Sequence, residues 1–320
     1  MKRERIILLL ILLILFFLFS GQSFNSLYAK ERFEKKFEKT VHLPKDGKII
    51  LKNVSGDIFV KSWNKEEVKI YALKISRAST IARAKENAEK VKIDVNKEDK
   101  TLIIETKYPK TPFKSINVSV NYNLMIPSEA RIKVKSVSGD VEVENIGGEV
   151  DLRTVSGDIT VDGAKNGIDC EAVSGDLEIK NVVEDIDIRT ISGDIELINV
   201  KGSIDADCVS GEIEIENSEV KSLKAKTISG SITYKGKIHP EGEYEISTHS
   251  GNVKLEIPSD SAFDLEAKTF SGKIKSDFEI AVSGEISRKK ITGSVNGGGA
   301  DIDLSSFSGN IVIRKLKIGT

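Results

Sequence analysis

The chain has 320 residues, 48 Lys+Arg against 49 Asp+Glu, 39% hydrophobic residues and 6% aromatic residues. That apolar content excludes a disordered or collagen-like chain, and two Cys exclude a disulfide scaffold or a Cys-rich metal site. Three scattered His (His42, His239 and His249) leave little for a His-based centre, and the few aromatics are thin provision for stacking nucleobases, so no nucleic acid partner is expected.

The chain opens on a basic stretch, Met1 to Arg5, followed by fourteen consecutive apolar residues, Ile6 to Phe19. As a helix this run spans about 21 Å, short of the roughly 30 Å hydrocarbon core of a bilayer. A basic start, a short apolar run and small residues beyond it describe a secretory signal over residues 1–29, cleaved after Ser23 or Ala29. An uncleaved signal-anchor is the alternative. No Cys follows the run, so a lipoprotein anchor is not expected. Either way residues 30–320 are expected outside the cytoplasm: periplasmic, extracellular or anchored at the cell envelope.

Residues 30–130 read as a first coil plus a capping segment. Val54-Ser-Gly-Asp-Ile-Phe-Val60 is a diverged copy of a pattern that dominates the rest of the chain. Strands are predicted over 68–75, 91–95, 102–106 and 116–125. Ser79 is positioned to N-cap a helix over about 80–90, with Ile81, Ala84, Ala88 and Val91 on one face. Such a helix can cover the open end of a stacked structure, whose unpaired strand edges would otherwise aggregate.

From residue 131 onward a Ser-Gly pair recurs. Its Gly falls at Gly139, Gly157, Gly175, Gly193 and Gly211, each 18 residues apart, then at Gly230, Gly251 and Gly272, with Thr292-Gly293 and Gly309 closing the series. A fixed period of this kind marks a repeat architecture. Around each pair, apolar and polar residues alternate: Val150 and Leu152 with Asp151 and Arg153, then Ile159 and Val161 with Thr160 and Asp162. Each repeat is therefore two short strands with one buried face, joined by a Ser-Gly-Asp bend. Eighteen residues leave no room for a crossover helix. A unit this small cannot bury its own apolar face, so the copies must stack, strand on strand, at about 4.8 Å. The predicted fold is all-β: a parallel β-solenoid over 131–320 of roughly ten coils, about 50 Å long, with right-handed winding expected. A hairpin-built barrel or sandwich is the rival. Cys170 and Cys208 both fall on inward positions two coils apart, so buried free thiols are expected.

The residues that carry this pattern resemble those of the bacterial putative-adhesin family, a domain of unknown function built of β-strand repeats. The matching stretches are Asn53-Val-Ser-Gly-Asp-Ile58, Trp63 with Glu66, Glu67 and Val68, and the Ser-Gly-Asp series from Ser138 to Asp194. The resemblance covers about residues 40–320 and implies an exported or membrane-attached protein with no catalytic residues. The chain departs from the family pattern after Gly211, where Asp gives way to Ser231, Asn252 and Lys273.

Charge is segregated along the chain. Residues 30–137 hold 25 basic and 14 acidic residues, whereas residues 138–217 hold 5 and 21. The basic part could touch anionic lipid or a polyanionic envelope polymer. Asp140, Asp158, Asp176 and Asp194 should stack in one column. A Ca²⁺ ladder is one reading of it, and the favoured one is that each Asp caps its own bend. Two further columns, Lys133-Asp151-Asp169-Asp187-Asp205 and Lys135-Arg153-Glu171-Arg189-Asp207, read as a solvated face in which Arg153 and Arg189 bridge adjacent coils. No catalytic, cofactor-binding or metal-ligating residues are assigned, and no cofactor is expected. The expected function is a non-enzymatic surface interaction or scaffold module. The alternatives are an envelope-stress or sensor component binding a cationic or membrane ligand, and a carbohydrate-active β-helix enzyme.

Overall fold

The computed structural model describes residues 30–109, 116–283, 287 and 289–316, so the segment 1–29 read as an export signal lies outside the described residues. Alternation does what the sequence implies. Ile159, Val161, Ile186, Ile188, Ile195 and Leu197 are all at most 2% exposed. Among the outward residues Glu196 is exposed, while Asp151, Asp187 and Glu178 are half-buried. Each outward side chain lies between its equivalents on the coils above and below, which cover part of it.

The two strands of each coil form two parallel stacks. The first contains Arg131–Ser138, Val150–Ser156, Ile168–Ser174, Ile186–Ser192 and Lys201–Ser210, paired so that each residue meets its counterpart 18 positions on, as in Asp151 with Asp169 and Asp169 with Asp187. The second contains Val141–Ile146, Ile159–Ala164, Leu177–Lys180 and Ile195–Ile198 in the same register. Between the stacks runs one apolar core, from Leu43 to Ile313. A second corner follows the second strand. There Asn145, Asn181, Asn199 and Asn217 hold φ between 51 and 56°, and Gly163 takes the same place at 78°. Asn is the non-glycine residue that best tolerates this left-handed conformation, because its short side chain bonds locally.

The coils do not stack in chain order. Ser250 pairs with Ser308, and Thr269 with Ser306. The final coil, Ala300–Ser308 with Ile311–Lys315, is therefore inserted between the coil of Gly251 and the coil of Gly272. Thr292-Gly293, expected to continue the series, lies instead in Lys290–Val295, which runs antiparallel along Phe263–Thr269. The arrangement buries Ile302, Leu304, Ile311 and Ile313 between two coils, and an antiparallel strand covers the outer edge of Phe263–Thr269.

The other end is built the same way. Lys48–Lys52 pairs with both Thr101–Lys107 and Arg131–Ser138, and Ile58–Trp63 pairs with both Val118–Pro127 and Val141–Ile146. The first coil in sequence is thus the second in space. Antiparallel strands finish this end: Lys92–Glu98 on Thr101–Lys107, Glu67–Ala78 on Val118–Pro127, and Glu31–His42 on Glu67–Ala78. The helix, Ile81–Lys90, packs on Glu31–His42 and Glu67–Ala78. It therefore covers this antiparallel extension, while strands do the edge-capping that the sequence assigned to the helix alone. Its N-cap is Thr80 rather than Ser79: Thr80 is extended, and its hydroxyl accepts the Arg83 N–H at 3.3 Å. Ala84, Ala88 and Val91 are fully buried, but Ile81, at the first helical position, is 51% exposed, so the buried face is narrower than expected.

Ile188 is fully buried in the middle of the core. Ile188→Asp should cost roughly 4 kcal/mol or more by leaving a carboxylate without a partner among aliphatic neighbours. Chemical denaturation measures it, and an unchanged midpoint would show that the inward and outward faces had been exchanged.

Candidate functional site

The Ser-Gly corner organises everything outside the core. Its glycines form a ladder in the order Gly56, Gly139, Gly157, Gly175, Gly193, Gly211, Gly230, Gly251, Gly309, Gly272, and a Cβ on each after the first would lie 1.8–2.4 Å from the carbonyl oxygen of the preceding one. Strand and corner thus approach too closely for any side chain.

The next residue along explains the aspartate column. Asp140 Oδ1 accepts the backbone N–H of Asp158 at 3.0 Å, Asp158 that of Asp176 at 2.9 Å, Asp176 that of Asp194 at 2.8 Å, and Asp194 that of Glu212 at 2.8 Å. Each Asp therefore caps the next coil's bend rather than its own, because the amide one coil on lies within reach of its short side chain. The departures from Asp follow the same rule. Ser231 accepts from Asn252 at 3.2 Å, Asn252 from Asn310 at 2.9 Å, and Asn310 from Lys273 at 3.1 Å. Lys273 ends the ladder and has no coil beyond it to cap.

Three residues before each glycine lies a buried position that is polar on every coil but one, where Ala172 stands. The buried hydroxyls of Ser136 and Thr154 lack a partner among the described residues. From Thr227 onward the position carries a hydroxyl that donates to the glycine carbonyl of a neighbouring coil: Thr227 to Gly211 at 3.1 Å, Thr248 to Gly230 at 2.9 Å, Ser306 to Gly251 at 2.9 Å and Thr269 to Gly309 at 2.8 Å. Cys208 stands in this row, its Sγ 3.4 Å from Gly193 O. Cys170 and Cys208 are both buried and free, as their spacing implied. Burial pushes both thiols up, for Cys208 against a hydrogen bond with Thr227, so neither is an activated nucleophile.

Two residues before each glycine, the side chain points outward, yet it is apolar on nine of the ten coils. In spatial order the column is Val54, Val137, Val155, Val173, Ile191, Val209, Ile228, His249, Phe307 and Phe270. The aliphatic and phenylalanine members are 40–64% exposed. At the far end the rings stack flat, His249 on Phe307 at 4.7 Å and Phe307 on Phe270 at 4.8 Å. A ridge of this length is unusual on a soluble surface, where exposed apolar residues are normally scattered.

Beside the ridge runs a groove of about 980 Å³. The buried polar row forms its floor, and the column of Arg153, Glu171, Arg189, Asp207 and Lys226 forms its opposite wall. The charges bridge coils, as the sequence suggested. Arg153 reaches Asp151 at 3.3 Å, Asp169 at 3.4 Å and Glu171 at 3.6 Å, and Arg189 reaches Asp187 at 2.9 Å and Asp207 at 3.8 Å. Partial burial opposes its charge, yet Asp151, Glu171 and Asp169 hold the Arg153 guanidinium above its ordinary pKa; Asp187 foremost does the same for Arg189. The groove thus offers an apolar lip, a floor whose hydroxyls are hydrogen-bonded at Thr190, Thr227, Thr248, Thr269 and Ser306, and a wall of alternating paired charge. That equipment suits contact with another surface. The ridge is the feature that sequence reading passed over, although the phase that places Val150, Leu152 and Thr154 inward also places Val155 outward.

The Toastrack DUF4097 family matches residues 48–237 and 182–314, and the chain belongs to it. Among solved structures, a putative adhesin from Bacteroides fragilis NCTC 9343 is similar at 14% identity over 87% of this chain and 97% of its own, with a TM-score of 0.44. A putative adhesin from Parabacteroides merdae ATCC 43184 aligns at 13% identity over 88% and 97%, with a TM-score of 0.36. A putative cell adhesion protein from Clostridium sporogenes ATCC 15579 aligns at 14% identity over 88% and 100%, with a TM-score of 0.25. No curated protein matches the chain.

The aspartate ladder generates a test. Its Oδ1 atoms are committed to backbone amides, and the column presents no convergent oxygen cage of the kind Ca²⁺ requires. The acidic belt should nevertheless gain stability from screening, since like charges recur every 4.8 Å or so, inside a Debye length of about 8 Å. Thermal melts in NaCl and CaCl₂ at matched ionic strength should rise together. A saturable rise specific to Ca²⁺ would mean that these carboxylates form a true site.

Proposed function

We propose that this member of the Toastrack DUF4097 family is an exported, non-enzymatic module of the cell envelope, working as an adhesin-like interaction or scaffold solenoid. The observation that carries this reading is the exposed apolar ridge from Val54 to Phe270 with the groove beside it. A ridge one residue wide and ten coils long supplies contact area. Beside it the hydroxyls of Thr227, Thr248, Thr269 and Ser306 are engaged with backbone carbonyls and Arg153 and Arg189 with carboxylates, which leaves these groups poorly placed to act as nucleophile, acid or base. Export rests on the basic start and fourteen-residue apolar run at the N-terminus.

Two measurements test the reading. Fractionation of cells producing the chain with a C-terminal tag should place the tag in the envelope or the medium, accessible to protease added from outside. Recovery in the cytoplasm alone would refute export. Purified protein incubated with a panel of envelope polysaccharides should release no reducing ends. Sustained release, abolished by substitutions in the groove wall, would make the solenoid a carbohydrate-active enzyme.

A further inference from the structure

The ridge and the charged column run side by side, so whatever covers one must also satisfy the other. We propose that the occupant is a second copy of this chain, lying antiparallel and face to face across a two-fold axis perpendicular to the solenoid, with all ten coils overlapping. The proposal takes the interaction-module reading as its setting, but pairing itself does not depend on where the protein resides.

Three properties of the surface select this arrangement. The first is the direction of pairing. A two-fold axis across the solenoid sets ridge against ridge and charge column against charge column. An axis along the solenoid would set the apolar ridge against the partner's charges and desolvate them without apolar contact in return.

The second is size. The ridge is small at one end, with Val54, Val137, Val155 and Val173, and bulky at the other, with Ile228, His249, Phe307 and Phe270. With full antiparallel overlap, Val54 meets Phe270 of the second copy, Val137 meets Phe307, Val155 meets His249, Val173 meets Ile228 and Ile191 meets Val209. Every narrow position receives a wide or intermediate one, which lets the two ridges approach evenly along their length.

The third is charge. The column beside the ridge alternates in sign over Arg153, Glu171, Arg189, Asp207 and Lys226. Full overlap sets Arg189 against Asp207 of the second copy and Glu171 against Lys226, while Arg153 meets Ser247 and Lys135 meets Ser305. A slip of one coil in either direction sets like against like at the centre, so the register of greatest overlap is also that of best complementarity. The single like pair, Lys52 with Lys268, falls at the rims, where Lys268 already has Glu266 as a partner.

The strip is roughly 45 Å long and about 12 Å wide from the strand and coil spacings, or on the order of 550 Å² per copy. A standard interface uses about 800 Å² per partner. The pair should therefore form and dissociate with concentration rather than persist. Antiparallel overlap also points the two N-terminal ends away from each other, as contact between copies on two opposed surfaces requires.

The test uses the full chain as recovered from the cells that produce it, from whichever fraction holds it. Sedimentation equilibrium should show a monomer–dimer exchange in the micromolar range. Ile191→Asp should weaken it by more than about tenfold, with an unchanged melting temperature because Ile191 is 51% exposed. Register is read by cysteine cross-linking. A Val173→Cys, Ile228→Cys double variant should form interchain disulfides linking position 173 of one copy to position 228 of the other, whereas Val173→Cys alone should form none. Within one copy these positions lie three coils, about 14 Å, apart, beyond disulfide reach. Cys170 and Cys208 are buried and do not compete. A monomer at every concentration, or a 173-to-173 cross-link, would overturn the proposal. Because these readouts are taken in solution, they fail or succeed independently of the fractionation that tests export.

Discussion

At one corner of the solenoid the backbone of each coil rests on the backbone of the coil before it, with glycine on both sides of the contact. The carbonyl of Gly175, for instance, lies 2.1 Å from where a Cβ on Gly193 would stand. This close approach holds the coils in register, and a strand register that is held places every other column. The aspartate beside the glycine then reaches the next coil's amide, the hydroxyl row reaches the glycine carbonyl, and the inward aliphatics meet their equivalents. A corner that admitted side chains would push the coils apart and lose all three contacts at once. Buried amides and carbonyls left open cost on the order of 1–3 kcal/mol each, so the columns reinforce a single stacking distance.

Much of this was legible in the chain. The 18-residue spacing and the alternation around it imply parallel stacking, because nothing else buries the apolar face of so short a unit. The spatial order of the coils was not legible from spacing. The periods drift after Gly211, and Gly272, Gly293 and Gly309 all follow plausible intervals. What distinguishes them is chemistry one residue on. Asn310 can cap a neighbour and Lys273 cannot, so Lys273 belongs at the end and Asn310 inside, as the hydrogen bonds show. The strand Glu31–His42 escaped notice for a different reason: its apolar residues Phe33, Phe37 and Val41 recur every four positions amid seven charged neighbours, which dilutes the strand signal. The helix was found but its start was misplaced by one residue, since Ser79 and Thr80 are equivalent caps on sequence grounds and only the extended backbone at Thr80 decides.

The ends of the solenoid show how a stack of parallel strands avoids offering open edges. Neither terminal coil in sequence is terminal in space. The chain begins in the second position, builds the outermost coil, and returns; at the other end it goes out first and then fills the gap with its last coil. Antiparallel strands then lie against the outer coils. Among the described residues the outward-facing column before the glycine is the one place where apolar side chains remain uncovered along the whole length. Core and ridge thus arise from the same repeat. Alternation buries one set of aliphatics and, carried one residue past the buried position three before the glycine, turns the next one to the surface.

The claim on which all of this depends is that glycine is required at the corner for want of space, beyond its backbone conformation. Two substitutions separate the causes. Gly193 and Gly297 both hold positive φ, at +147 and +93°, but a Cβ at Gly193 would strike the Gly175 carbonyl at 2.1 Å, whereas none of the surrounding atoms lies within 4 Å of one at Gly297. Denaturant titrations of Gly193→Ala and Gly297→Ala compare them directly. The account predicts a loss of about 1–2 kcal/mol for Gly297→Ala, from backbone strain alone, and more than about 4 kcal/mol for Gly193→Ala. Equal losses at the two sites would contradict it, because conformation alone would then explain the glycines and the coils would not be held by contact at the corner.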